Sequence, residues 1–403
     1  MTEKDPKAGR PTLSTSLIHH AYQPPGGFGA VQPAVHKAST VIFENVAALR
    51  ARDWKQKAGY TYGLHGTPTS FTLEERIATL EGGLQTLLAP SGLAAIALVD
   101  TALLSAGDEV LLPENAYGPG KELARNELAR WGIGHRFYDP ADASALAAAI
   151  GPATRLIWLE AAGSVTMEFP DLPALVAVVR EKGVTVVLDN TWGAGIAFDP
   201  FDLCPERQPA LGVDISMQAL TKYASGGADL LMGSVTTRDT ALHLRLKFTH
   251  MRMGLGVGAN DIEAVLRSLP SLEVRYAAQD RSARTLATWW QGRPEATRVL
   301  HPALGGSPGH AHWSALCTQA AGLFSIVFDE RYAPAQVDAF IDALRLFRIG
   351  YSWAGPVSLV VPYDLSTMRP GAGQRGTLVR FSIGLEGVDD LIDDLRQALQ
   401  ALG

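Results

Sequence analysis

Lys222 lies in the run Asp214-Ile-Ser-Met-Gln-Ala-Leu-Thr-Lys-Tyr-Ala-Ser-Gly-Gly-Ala-Asp229, just past an apolar stretch and between a hydroxyl and small residues. A lysine in such surroundings loses hydration and its pKa falls. A useful fraction then becomes the neutral amine that attacks a carbonyl carbon to form a Schiff base. The alternative is a solvated surface lysine with no chemistry. Earlier in the chain, Val184-Thr-Val-Val-Leu-Asp189 is a continuous apolar run that ends in an acid. An aspartate at the carboxyl end of a buried parallel strand is placed to pair with a protonated ring nitrogen, although Asp189-Asn190 also suits a plain turn or helix cap. Arg380 sits inside another apolar run, Thr377 to Ile383. A guanidinium there requires an anion, which is either a ligand carboxylate or an internal Asp or Glu.

Elements that would hold these groups are legible around them. Leu87-Leu-Ala-Pro-Ser-Gly-Leu-Ala-Ala-Ile96 passes from a strand through Ser91-Gly92 into an alanine-rich helix. The free N–H groups of a helix start suit a phosphate, and the alternative is an ordinary strand-to-helix turn. Glu109 to Leu112 reads as a strand followed closely by Tyr117, whose flat ring is either a stacking surface or a loop tyrosine packed on the core. Leu156 to Leu159 is a further buried strand whose end, Glu160 to Thr166, falls at the same sheet edge. Alternation of such strands with helical stretches such as Leu172 to Arg180 predicts an α/β fold with a mostly parallel sheet covered by helices. From about Leu269 the pattern shifts. A helix from Leu272 to Trp290, the strand Leu323 to Phe328, a helix near Val337 to Leu346, the strand Thr377 to Ile383 and a last helix from Val388 to Leu402 predict a smaller α+β unit.

Residues 1 to about 60 read as an arm without a core of its own, with Pro24-Pro-Gly-Gly27 and one short helix around Val46 to Lys57. His19 and His20 are adjacent, so in an extended segment they point apart and read as structural or solvated rather than as a metal pair. The glycine- and aromatic-rich loop Gly59 to Phe71 leads into Leu73 to Leu80, where apolar residues at Leu73, Ile77 and Leu80 predict an amphipathic helix.

The 403 residues, 47% hydrophobic and 19% charged, are enough for a large core. A net charge of −6 without a basic cluster argues against a nucleic-acid partner. The polar start, Met1-Thr-Glu-Lys-Asp-Pro-Lys7, lacks the apolar core of a signal peptide, and no stretch reads as a membrane span, so a cytoplasmic protein is expected. Two cysteines, Cys204 and Cys317, offer neither a disulfide framework nor metal-ligand spacing. Met253-Gly-Leu-Gly-Val-Gly258 has the wrong spacing for a dinucleotide fingerprint.

Asp189-Asn-Thr-Trp192, Thr221-Lys222-Tyr223 and Tyr351-Ser-Trp353 resemble the transsulfuration family of pyridoxal phosphate (PLP) enzymes, and the likeness runs from Gln32-Pro33 to Glu386. The resemblance implies a fold-type I PLP-dependent transferase-like architecture: an arm over residues 1–60, a PLP-binding large domain over 61–268 and a small domain over 269–403. By the same resemblance Lys222 carries the cofactor and moves the substrate Cα proton, Tyr117 stacks on the ring, and Asp189 faces the ring nitrogen. Gly92, Leu93 and Thr221 hold the phosphate, joined by Tyr62 from a neighbouring subunit, while Ser352, Trp353 and Arg380 bind the amino acid. The family arginine two residues after that tyrosine is absent: Leu64 stands there, and the adjacent His65 is the nearby group able to become cationic. The implied activity is β-elimination of cystathionine in methionine biosynthesis by a homotetramer built of dimers with shared sites. Trp192 and Trp353 favour β-cleavage over the γ-elimination or γ-replacement of other members. A PLP-binding regulatory protein is the remaining reading.

Overall fold

Continuous apolar strands become the middle of a sheet because both of their faces need cover. The computed structural model describes residues 11–22, 31–368 and 376–403, so Met1 to Lys7 and Pro24 to Gly27 lie outside the described residues. Its first sheet has seven strands: β1 Gln85–Ala89, β2 Glu109–Pro113, β3 Gly134–Tyr138, β4 Thr154–Glu160, β5 Thr185–Asp189, β6 Ile215–Ala219 and β7 Gly233–Thr237. Their order is β1-β7-β6-β5-β4-β2-β3, parallel except for β7, which runs against both neighbours. The two-residue alternation of a strand divides the core. Leu111, Ile157, Val186 and Leu188 pack with Leu175, Val176 and Val179 of the helix Leu172–Glu181. Val110, Leu112, Leu156 and Val187 pack on the opposite face with Ala95, Leu98 and Val99 of the helix Gly92–Leu103.

A second sheet has five strands, β8 Ala296–Leu300, β9 Leu323–Phe328, β10 Arg348–Ile349, β11 Leu359–Asp364 and β12 Thr377–Ser382, in the order β10-β11-β12-β9-β8. It is antiparallel apart from the short β10–β11 pair. Phe324, Ile326, Phe328, Val379 and Phe381 pack on Leu286 and Trp290 of the helix Leu272–Gln291 and on Leu391 and Leu395 near the chain end. This is the α+β unit expected after Leu269.

Several expected elements differ in extent. The helix foreseen from Val46 to Lys57 stops at Arg50, and that near Val337 is Pro334–Asp342. The stretch Leu73 to Leu80 belongs to a longer helix, Pro68–Glu81, started by a reciprocal Thr67–Ser70 capping box with Pro68 in its first turn. That helix buries Glu74, Arg76 and Glu81 as well as Leu73 and Ile77, so it is enclosed rather than amphipathic. His20 donates to or accepts from Thr79 Oγ1 at 2.6 Å, a structural contact. No described helix is long and apolar enough to cross a membrane.

Candidate active site

The carboxyl ends of β4 and β5 bring Glu160 and Asp189 side by side in register, and Asp189 in turn faces Met217 in the middle of β6. Over them opens a cavity of about 740 Å³ lined by Gly92, Leu93, Tyr117, Asp189, Thr221, Lys222, Ser352, Trp353 and Arg380. Nine of the ten residues singled out in the sequence therefore meet in one place.

Lys222 lies in the turn after β6, its N–H bonded to Ala219 O at 3.0 Å. Its Nζ donates to Ser352 Oγ at 2.6 Å and sits 5.4 Å from the centre of the Trp353 ring. Burial, reinforced by the Arg380 charge and opposed by Asp189, pulls its pKa down to about 8. That is the direction an amine nucleophile and proton carrier requires. Asp189 accepts from the Thr191 N–H at 3.0 Å and from the Thr191 hydroxyl at 2.5 Å. Burial pushes the Asp189 carboxyl up, against these two donors and Lys222. Thr191 Oγ1 in turn accepts from Ala219 N–H at 2.9 Å, fastening the end of β5 to the end of β6.

At the other end of the cavity, Ser91 Oγ accepts the Ala94 N–H at 3.0 Å and caps the helix Gly92–Leu103. That bond leaves the first-turn amides of Gly92 and Leu93, at the positive end of the helix, beside the cavity. A Cβ on Gly92 would come within 2.7 Å of Ala219 Cβ, so glycine is what lets the helix start press on β6. Thr221 Oγ1 accepts Met232 N–H at 3.1 Å and faces the same cavity. Tyr117 forms part of the wall, and its N–H donates to Glu160 Oε2 at 2.7 Å.

Arg380, on β12, is only 7% exposed. Its Nη2 donates to Ser352 O at 3.2 Å, its guanidinium carbon lies 5.7 Å from the Tyr363 ring centre, and its buried Nε has no partner among the described residues. No ion pair joins it to a carboxylate among the described residues, so the internal-acid alternative is not what the structure has. Ser352 thus engages Lys222 through its hydroxyl and Arg380 through its carbonyl. It does so at φ +88°, a backbone conformation costing about 1–3 kcal/mol for a residue other than glycine. The wall is completed by residues 162–167, where Val165 also has positive φ and its carbonyl accepts the Ser325 hydroxyl of β9 at 2.6 Å.

This donor set fits PLP. Helix-start amides and a hydroxyl stand ready for a phosphate, a buried acid for a ring nitrogen, a lysine of lowered pKa for an aldehyde, and an orphaned guanidinium for a carboxylate. Tyr62 stands apart. It is 46% exposed and lines a second cavity of about 710 Å³ with Ser39, Leu64, His250 and Gly258. His65 stays beside Tyr62, with ring centres 5.8 Å apart. It bonds to Thr61 Oγ1 at 2.8 Å, its ring meets Trp54 at 5.3 Å, and burial with Lys247 and Arg52 nearby holds the imidazole below its ordinary pKa. Sequence reasoning placed the stretch from Glu160 at the sheet edge but assigned no role to Glu160 or Thr191. Their signal was position: each follows from the ends of β4 and β5.

Residues 14–400 match the profile of the Cys/Met metabolism PLP-dependent enzyme family. The chain is 39% identical over 395 residues to cystathionine beta-lyase of Bordetella avium, covering 96% of each protein. It is 34% identical to cystathionine beta-lyase MetC of Escherichia coli strain K12, covering 95% of this chain and 97% of the relative. The crystal structure of metB from Corynebacterium glutamicum superposes with a TM-score of 0.87 at 28% identity, over 98% of this chain and 99% of that one.

Proposed function

The chain belongs to the Cys/Met metabolism PLP-dependent enzyme family, and from that premise we propose that it is a carbon–sulfur lyase that cleaves cystathionine by β-elimination to homocysteine, pyruvate and ammonia. The observation that carries this reading is the Lys222 amine, with a pKa lowered to about 8, in one cavity with Asp189 and the carboxylate-free Arg380. The name borne by the Bordetella avium and Escherichia coli relatives supports the choice of substrate.

In this reading the Gly92 and Leu93 amides and the Thr221 hydroxyl would hold the phosphate of PLP, Asp189 its ring nitrogen and Lys222 its aldehyde, within the cavity that Tyr117 also lines. Bound there, PLP supplies an electron sink for charge developing at the substrate Cα. Arg380 takes the α-carboxylate in a charge-assisted contact, and Ser352 and Trp353 border the same end. Lys222 Nζ would accept the Cα proton as the Cβ–S bond breaks and the sulfur leaves as a thiolate, and water would then release pyruvate and ammonia. General acid–base work of this kind contributes about 10²–10⁴-fold. Trp192 and Trp353 enclose the region beyond and limit water. Tyr62 completes the phosphate site of a second copy, within a homotetramer of dimers.

The test is a comparison of keto acids released from cystathionine by the purified enzyme. β-Cleavage yields pyruvate and γ-cleavage yields 2-oxobutyrate; predominance of the second, or neither product, removes this reading.

A further inference from the structure

Two carboxyl groups stand next to each other at the floor of the cavity. Glu160 and Asp189 are paired residues on adjacent parallel strands, so their side chains leave the sheet on the same face, and both line the cavity. Carboxylates so placed, away from bulk water, repel each other, which opposes ionisation of both at once. Both groups have neighbours that favour their charge. Asp189 accepts two hydrogen bonds from Thr191 and faces Lys222, both of which favour its charge. Glu160 Oε2 accepts from the Tyr117 N–H at 2.7 Å.

We propose that Glu160 is a positioning residue of this site, which stays protonated beside the Asp189 carboxylate and through its carboxyl oxygen fixes Tyr117 at the cavity wall. The inference rests on the reading of the cavity as the PLP site, because Tyr117 and Asp189 are the groups it serves. Tyr117 immediately precedes the short helix Gly118–Leu123, and its backbone N–H has Glu160 as an acceptor from a different element. Asp189, left as the sole anion at that end, is matched to one protonated ring nitrogen. Burial and then Asp189 push Glu160 well above the ordinary carboxylate range, in line with this assignment. The other titratable groups around Glu160 are Lys121 on the helix Gly118–Leu123, Tyr117 before it and Tyr138 on β3. The Tyr117 N–H, Lys121 and the Ser164 backbone lower the Glu160 pKa, but burial and Asp189 outweigh them.

The test uses the PLP-loaded enzyme with Glu160→Gln, which keeps a carbonyl oxygen for Tyr117 but cannot ionise, and Glu160→Leu, which has neither property. The infrared difference between wild type and Glu160→Gln at neutral pH should carry a protonated-carboxyl band that fades as the pH is raised. Buried acids common to both proteins cancel in that difference. Glu160→Gln should keep the visible circular dichroism of the bound cofactor, whereas Glu160→Leu should lose it and fall up to about 100-fold in kcat, the effect of misplacing a group by about 1 Å. Absence of the band, or Glu160→Gln impaired as deeply as Glu160→Leu, overturns the proposal. Should Glu160→Leu not fold, the band and the dichroism of Glu160→Gln decide alone. A wild-type enzyme releasing no pyruvate overturns the cleavage reading, while the band still reports on Glu160.

Discussion

Lys222 Nζ donates to Ser352 Oγ at 2.6 Å, across 130 residues of sequence, so the active amine of one sheet is held by a residue that belongs with the other. The hydroxyl accepts from the charged form of the lysine and therefore favours it. Ser352→Ala should lower the lysine pKa further, by about one to two units if the bond is worth the 1.5–3 kcal/mol of a charge-assisted pair. The rate of PLP capture by the apoenzyme, followed against pH, checks this. An unmoved profile would show that the contact is incidental.

Lys222→Ala should abolish covalent cofactor attachment and reduce kcat by at least about 10²–10⁴-fold. Borohydride treatment of the wild type followed by peptide mapping should place the cofactor on Lys222. A label on any other lysine would contradict the assignment.

Arg380→Ala should weaken amino-acid substrates by about 2–5 kcal/mol while leaving the visible absorbance of the bound cofactor in place. Among the described residues the guanidinium has an unpartnered Nε and no ion pair to a carboxylate, and it meets the Ser352 carbonyl and the Tyr363 ring, so its loss strands no described carboxylate. Steady-state constants equal to wild type would exclude it from substrate binding.

His65→Ala should leave PLP affinity, and its dependence on pH, almost unchanged, because the imidazole is held below its ordinary pKa and is already engaged by Thr61 and Trp54. Tyr62→Phe and Leu64→Arg should act in opposite directions, the first weakening and the second tightening the cofactor, provided that a second copy brings these residues to the site. Equilibrium titration of the apo-variants measures all three. A pH-dependent loss confined to His65→Ala would restore a cationic role for that residue.

Glu81, buried among Ser216, Gln218 and Asn190, has its carboxyl pushed up to about 8, chiefly by burial. Its folded pKa lies above the unfolded value, so between about pH 4.5 and 8 the native state binds the extra proton. The contribution of Glu81 is complete below that window and is lost as pH rises through it. Glu81→Gln should flatten the alkaline side of the stability curve. Urea unfolding at pH 5.5 and 8.5 would reveal the difference, and parallel curves for both proteins would refute it.

The parts of the site carried by β4, β5 and β6 were legible because doubly covered parallel strands leave unbroken apolar runs, and chemistry gathers at their ends. β7 was not legible. Gly233-Ser-Val-Thr-Thr237 is polar in sequence yet buried, with the Thr236 hydroxyl paired to Thr86 at 2.8 Å. Its fit to the sheet rests on a partner 150 residues away, which no local periodicity records. β3 was hidden for the opposite reason, since at the sheet edge it exposes Gly134 and Arg136 and carries little apolar signal. The role of Glu160 depends on pairing with Asp189, which only the register reveals.

Ser325 and Arg380 are opposite each other on β9 and β12, and Ser325 also grips the carbonyl of Val165 in the wall of the cavity. The Arg380 guanidinium and the wall latch thus ride on one ladder. Any rocking of the second sheet away from the first would carry off Arg380 and loosen residues 162–167 in a single stroke, so that under the proposed function the release of an α-carboxylate and the unlatching of the wall would be one mechanical event.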